Sequence, residues 1–258
     1  MLIPEFMGGL GNMMFQLAST YAIAKQTGHN FGVLSIPMPP EKHSNVDYTK
    51  NIFSKWVIHK TDKTPHLQIK EHTSQLLDLN RVRNIPNDIA VTLYGYFQYE
   101  SYLKPHKQEV IDLFDLSISP LTLEKYNDIN NAYFLHIRRG DYVGNSFHEM
   151  DLTEYYRRAI QHIGKGVAYI VSNDIEWCKQ WEFLKTVPHR FVEENDVDTL
   201  IIMTRCGLGG ITANSSFSWW GLYLNTARPY LIMPSRWYPH DMIKGDGYYF
   251  EGSAVLGV

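Results

Sequence analysis

The chain has 258 residues, 44% of them hydrophobic, which is enough for one large α/β domain or two small ones. Its formal net charge of −3 supplies no global basic field to gather nucleic acid or an anionic membrane surface, so any anion has to be bound locally. No apolar run approaches the ~18 residues of a spanning helix, the start MLIPEFMGGLG lacks the basic n-region of a signal peptide, and Cys178 and Cys206 lie outside any zinc-spaced cluster. The expectation is a cytoplasmic protein with buried free thiols, no metal and no transmembrane segment, whose only membrane association would be peripheral, on the inner face.

In chain order, LIPEF reads as a short strand, MGGLGN as a loop, and MMFQLASTYAIAKQTG as a helix. That helix would carry Met14, Leu17, Ala18, Tyr21 and Ala22 on one face, with Gly28 beyond its end. Residues 36 to 90 are rich in proline and weak in apolar period, which predicts irregular, mostly surface structure. VTLYGYFQ at 91 to 98 reads as a strand, followed by helical YLKPHKQEVIDLF and a second helical stretch near 121 to 130. An alternation then begins. Strands are expected at 132–137, 167–172, 190–192, 208–213 and 229–233, with helices at 152–163, 174–185, 196–206 and 216–226. This spacing predicts a parallel sheet flanked by helices, beginning near residue 130.

Open parallel sheets bind ligands at the carboxyl ends of their strands. Three polar clusters fall at such ends, HIRRGDY, VSNDIEW and ITANSSFSWW, and a fourth, GGLGN, follows the first strand. Extended backbone alternates its side chains, so His136 and Arg138 should face one side and Arg139 the other. Adjacent guanidiniums need an anion or a carboxylate. Arg138 is therefore expected to meet a ligand pyrophosphate, and Arg139 to pair with Asp141 and hold the turn; structural salt bridges for both are the alternative. Gly9 and Gly11 match the first two glycines of a dinucleotide fingerprint, but Met14 occupies the third position and no acidic residue appears until Glu41, which argues against NAD or FAD. The loop still offers backbone N–H groups to a phosphate or a sugar. Asp196-Val-Asp198 has the spacing of a divalent-cation motif, yet it opens an amphipathic helix, where capping is the simpler role. Asn214, Ser215 and Ser216 stand at a strand-to-helix junction suited to phosphate, while Trp219 and Trp220 read as core.

Taken in order, GGLGNMMFQLA, YGYFQYESYL, FLHIRRGDY, VSNDIEWCK and ITANSSFSWWGLYL span residues 7 to 226 and resemble the bacterial α-1,2-fucosyltransferases of glycosyltransferase family eleven. The resemblance implies an α/β fold of GT-B type, two Rossmann-like domains facing a cleft, with residues 1–128 as the acceptor-side domain and 129–258 as the GDP-fucose-binding domain. The tail from about 241 would cross back over the first domain. It also implies transfer of L-fucose from GDP-fucose to the 2-hydroxyl of a terminal galactose on a glycan acceptor, with inversion and with no cofactor. Carried onto this chain, Arg138 looks like the ligand of the donor β-phosphate, His136 and Asp198 like guanosine contacts, and Ser215 and Ser216 like pyrophosphate contacts. Gly9, Gly11 and Asn12 look like the loop bordering the donor phosphate and fucose. Met13 departs from the family's usual Gln, and Tyr99 from its common Gln-Ser-Glu, the latter bearing on local acceptor contacts.

Chemically the match is coherent. Cleaving a fucosyl–phosphate bond puts negative charge on the β-phosphate, which a fixed guanidinium stabilises. A general base must also take the acceptor hydroxyl proton, and the candidates near the arginine motif are Asp141, Glu149 and His148. Two other readings stand beside this one: fucosyl transfer with another linkage, and a non-catalytic module binding carbohydrate or nucleotide. The intact set of His136, Arg138 and Asp141 argues against the latter.

Overall fold

Strand β1 (Leu2–Pro4) leads into helix α1 (Leu10–Thr27) across the glycine loop. The helix starts three residues earlier than the apolar period suggests, because Gly9 caps it in extended conformation and its carbonyl accepts the N–H groups of Asn12 and Met13. Gly11 and Asn12 are thus first-turn residues, not loop residues. Almost every side of α1 is buried, with Met13, Met14, Phe15, Leu17 and Ala18 among its core residues, whereas Tyr21 stays partly exposed. Gly28 ends the helix in the left-handed conformation, its N–H bonded to the Ala24 carbonyl.

These elements belong to a computed structural model that describes residues 1–41, 43–56, 67–72, 75–240 and 245–258. The chain divides into two units, Met1–Ser117 and Ile118–Val258. In the first, β2 (Leu67–Lys70) precedes α2 (Leu79–Arg83), and β3 (Val91–Tyr94) lies in the middle of a parallel sheet of order β1-β3-β2. Part of the stretch expected to be surface is core: Tyr48, Ile52 and Phe53 are buried, and the Phe53 ring lies 6.1 Å from those of Tyr48 and Phe114. Residues 42, 57–66 and 73–74 of that stretch lie outside the described residues. The strand expected over 91–98 stops at Tyr94, because Gly95 (φ +154°) and Phe97 (φ +49°) turn the chain away. Glu71 pins this turn, its Oε2 accepting the N–H groups of Tyr96 at 2.7 Å and Phe97 at 2.9 Å. The helical stretch beyond is divided at Lys104–His106 into α3 (Glu100–Leu103) and α4 (Lys107–Asp112), where Pro105 interrupts the hydrogen-bond ladder.

The second unit opens with α5 (Pro120–Glu124) and then follows the expected alternation closely. It runs β4 (Ala132–Ile137), α6 (Thr153–Ile163), β5 (Val167–Ser172), α7 (Ile175–Gln180), β6 (His189–Phe191), α8 (Asp196–Arg205), β7 (Gly209–Ile211), α9 (Ser216–Tyr223), β8 (Tyr230–Pro234) and β9 (Ala254–Leu256). All pairings are parallel, in the order β6-β5-β4-β7-β8-β9. Successive strands spread from β4 to one side, then the chain returns to place β7 on its other side. That reversal is a topological switch point, and it leaves a crevice beyond the carboxyl ends of β4 and β7. Within the tail β9 pairs with β8 as the edge strand, and residues 241–244 before it lie outside the described residues. Trp219 and Trp220 are buried, as are the free thiols of Cys178 and Cys206. Among the described residues no helix is long and apolar enough to cross a membrane.

Gly209 shows how tightly the sheet packs near the switch point. Its φ is +93°, and a Cβ there would stand 2.0 Å from the Tyr230 carbonyl oxygen on β8. Gly209→Ala is therefore expected to cost about 2 kcal/mol or more, read as a lower midpoint in thermal or urea unfolding; an unchanged midpoint would mean that the β7–β8 ladder yields without cost.

Candidate active site

All six residues of β4 are buried, and the charged residues begin where the strand ends. The next turn, Gly140–Tyr142, is a short 3₁₀ helix, which brings Asp141 back over the residue three before it. Asp141 consequently pairs with Arg138, Oδ1 to Nη2 at 2.5 Å, and not with Arg139 as strand alternation suggests. The alternation fails here because the extended backbone stops at Ile137. Arg139 instead turns toward α7. Its guanidinium lies 3.7 Å from the Trp177 ring centroid, and its Nε donates to Asp174 Oδ2 at 3.4 Å. Gly140, at φ +56°, permits this turn, since a Cβ would meet Asn173 Nδ2 at 2.2 Å. The same Asn173 accepts the Arg139 N–H through Oδ1 at 2.9 Å.

Arg138 and Arg139 border a cavity of about 350 Å³, whose lining also includes Tyr142, His148, Glu149, Trp177 and Asn214. The Tyr142 ring is 5.0 Å from the Arg138 guanidinium and stacks on the His148 ring at 4.6 Å with 14° between planes. Asn214 knots the wall together: its Nδ2 donates to the carbonyls of His148 at 3.0 Å and Trp237 at 3.1 Å, and its own carbonyl accepts from the Tyr142 hydroxyl at 3.2 Å. Glu149 turns one oxygen back to its own loop, Oε2 accepting the Gly144 N–H at 2.9 Å. Burial lowers the pKa of His148, and Arg138 lowers it further while Asp141 opposes both. Its imidazole is therefore neutral at neutral pH.

Two buried nitrogens in this neighbourhood have no hydrogen-bond partner, Arg138 Nε and His136 Nδ1. His136 is 2% exposed, and its ring lies 5.7 Å from that of Phe217. Buried polar atoms are rarely left unsatisfied, and a guanidinium with an open edge asks for an oxyanion.

The other expected site residues are placed as follows. Ser215 caps α9 and is buried, and Ser216 is its first residue, so backbone amides of this helix point out at the switch point. Asp198 is engaged with its own helix start: Asn195 Oδ1 accepts the Asp198 N–H, and Asn195 Nδ2 donates to Asp198 Oδ2, both at 2.9 Å. Capping at Asp196-Val-Asp198 is thus real, although the cap itself is Asn195. His136, Asp141, Asp198, Ser215 and Ser216 do not line the cavity. Gly9, Gly11 and Asn12 belong to the first unit, where Asn12 Oδ1 accepts from Gln98 Nε2 at 2.8 Å. Sequence reasoning passed over Asn173, Asp174 and Trp177 as partners of Arg139. VSNDIEW marks them as a polar cluster at a strand end, but only the β4–β5 pairing reveals which arginine they serve. Glu71 was also missed, because nothing in the sequence near it signals the turn it holds.

Desolvation, followed by the Arg138 charge, pushes the His136 pKa from 6.5 down to about 3. The folded protein thus excludes a proton that the unfolded chain binds, so this residue costs no stability above the unfolded value and a growing amount as pH falls toward 3. His136→Gln should flatten the decline of Tm between pH 6.5 and 4 relative to the parent. Parallel Tm–pH curves would show that His136 does not carry the acid sensitivity.

A family model described as Glycosyl transferase family 11 matches residues 5–251. The Escherichia coli alpha-1,2-colitosyltransferase is 27% identical over 273 residues, 93% of each chain. The Escherichia coli O-antigen biosynthesis glycosyltransferase WbnK is 30% identical over 171 residues, 57% of this chain and 55% of that protein. Among solved structures, NodZ alpha-1,6-fucosyltransferase soaked with GDP-fucose aligns over 87% of this chain and 92% of its own, with 12% identity and a TM-score of 0.49.

Proposed function

Because the chain belongs to glycosyltransferase family 11, we propose that it transfers L-fucose from GDP-fucose to the 2-hydroxyl of a terminal galactose on a glycan, with inversion at the anomeric carbon. The observation that carries the reading is Arg138, set at the switch point beside a cavity, with Nη2 held by Asp141 and with Nε buried and open. A β-phosphate oxygen supplies the missing acceptor. As the bond between the anomeric carbon and the phosphate oxygen breaks, its electron pair stays on the β-phosphate, and the preorganised guanidinium stabilises that charge.

The remaining roles follow from the family resemblance. The first amides of α9, with Ser215 and Ser216, take further pyrophosphate oxygens. On that resemblance His136 and Asp198 are assigned to the guanosine. The Met1–Ser117 unit handles the acceptor and the Ile118–Val258 unit the donor. Asp141 is committed to Arg138, which leaves neutral His148 and the second oxygen of Glu149 as candidate bases for the acceptor proton. The reading calls for no divalent cation, and Asp198 is engaged with Asn195 at the start of α8.

A second reading, colitosyl transfer, is favoured by the relative of that name, which matches along nearly the full length of both chains. The donors separate the two readings: the protein is offered GDP-fucose and GDP-linked colitose with a panel of galactosides, and the product linkage is read by NMR. GDP-fucose should give an α-1,2-linked product; turnover with the colitosyl donor alone would favour the second reading. Arg138→Ala should lower kcat by about 10² to 10³ with Tm little changed. Arg138→Lys should recover little of it, since an ammonium cannot reproduce the planar fork. A variant lacking Arg138 that turned over at the parent rate would remove the phosphate role.

A further inference from the structure

Arg138 needs more than Asp141 to hold its plane. One ion pair fixes one nitrogen, and a guanidinium held at a single point still rotates about its long side chain. The second constraint is the Tyr142 ring, which the guanidinium covers at 5.0 Å. Tyr142 is itself fixed from two directions, by the stacked His148 ring at 4.6 Å and by its hydroxyl on the Asn214 carbonyl. Asn214 directly precedes Ser215, the cap of α9, and its amide ties the His148 and Trp237 backbones to the same point. A chain of contacts thus runs from Arg138 through one aromatic ring to the start of α9.

We propose that Tyr142 is a positioning residue for Arg138: its ring sets the plane of the guanidinium, and its hydroxyl sets that plane in register with the amides of α9. The inference rests on the reading of Arg138 as the donor-phosphate ligand, and it deepens that reading by naming what aims the arginine. The two groups converging on one pyrophosphate come from different loops, after β4 and after β7, and Tyr142 joins them. The ring is the essential part. A hydroxyl alone would reach Asn214 and leave the guanidinium unsupported, whereas a phenyl ring retains the platform and loses only one exchangeable hydrogen bond.

The test compares Tyr142→Phe and Tyr142→Leu with the parent in the full chain, using three readouts. The first needs no ligand. In protein labelled with ¹⁵N-arginine, the Arg138 Nε–H signal, assigned by its loss in Arg138→Lys, should be ordered in the parent and in Tyr142→Phe but mobile in Tyr142→Leu. The second is GDP affinity, expected to fall about tenfold or more in Tyr142→Leu and by less than about threefold in Tyr142→Phe. The third is the kinetic split, in which Tyr142→Leu should lower kcat by about 10- to 100-fold and raise the donor KM with the acceptor KM unchanged, whereas simple loss of folded protein would lower kcat and leave both KM values as they were. Tm for each variant corrects for stability. An ordered Arg138 Nε–H together with parent-like GDP affinity in Tyr142→Leu would overturn the proposal. Equal losses in the two variants would overturn it as well, by placing the effect in the hydroxyl. If the parent binds GDP but turns over no fucosyl donor, the donor assignment has failed while the NMR and GDP readouts still decide the role of Tyr142.

Discussion

The turn after β4 has to bring two guanidiniums out of a fully buried strand within two residues, and the site depends on how it does so. Each arginine receives its own carboxylate, Asp141 for Arg138 and Asp174 for Arg139, and its own aromatic face, Tyr142 and Trp177. This separates two like charges that would otherwise repel at the edge of a low-dielectric core. The division also separates their work. Arg139 is spent on joining the β4 and β5 loops, whereas Arg138, on the cavity wall, keeps a buried Nε without a hydrogen-bond partner.

With β4 between β5 and β7, the loops after β4 and β7 flank the switch point, so Arg138 follows one of these strands and the start of α9 follows the other. Their connection through Tyr142 and Asn214 fixes the relative geometry at little entropic cost, because every member of the connection is already packed or hydrogen-bonded within the unit.

Much of this second unit was legible in the sequence. Six-residue apolar runs bounded by polar turns give β4 and β5 their correct limits, and α8 and α9 start at the first residue of their periodic stretch. The charged residues of HIRRGDY and VSNDIEW therefore fall just beyond the ends of β4 and β5, as expected. What the sequence could not show was pairing: the partner of Asp141 depends on a 3₁₀ turn that begins three residues after the last residue of β4, and the partners of Arg139 lie 34 and 35 residues away. The first unit was harder to read for a different reason. Tyr48, Ile52 and Phe53 reach the core from irregular backbone, so their burial leaves no period to detect, and the turn at Phe97 depends on a carboxylate 26 residues earlier. At the other end, AVL in a glycine-rich tail is too short to announce β9.

The central claim is that the open edge of Arg138 is the donor-phosphate site. A crystal structure of the GDP complex tests it most directly, through the distance from Arg138 Nε to the nearest β-phosphate oxygen. The account predicts a hydrogen bond there, about 2.7 to 3.1 Å, with the pyrophosphate also at the first amides of α9. GDP bound elsewhere, with Arg138 Nε still unpartnered and Arg138 held only by Asp141, would contradict it.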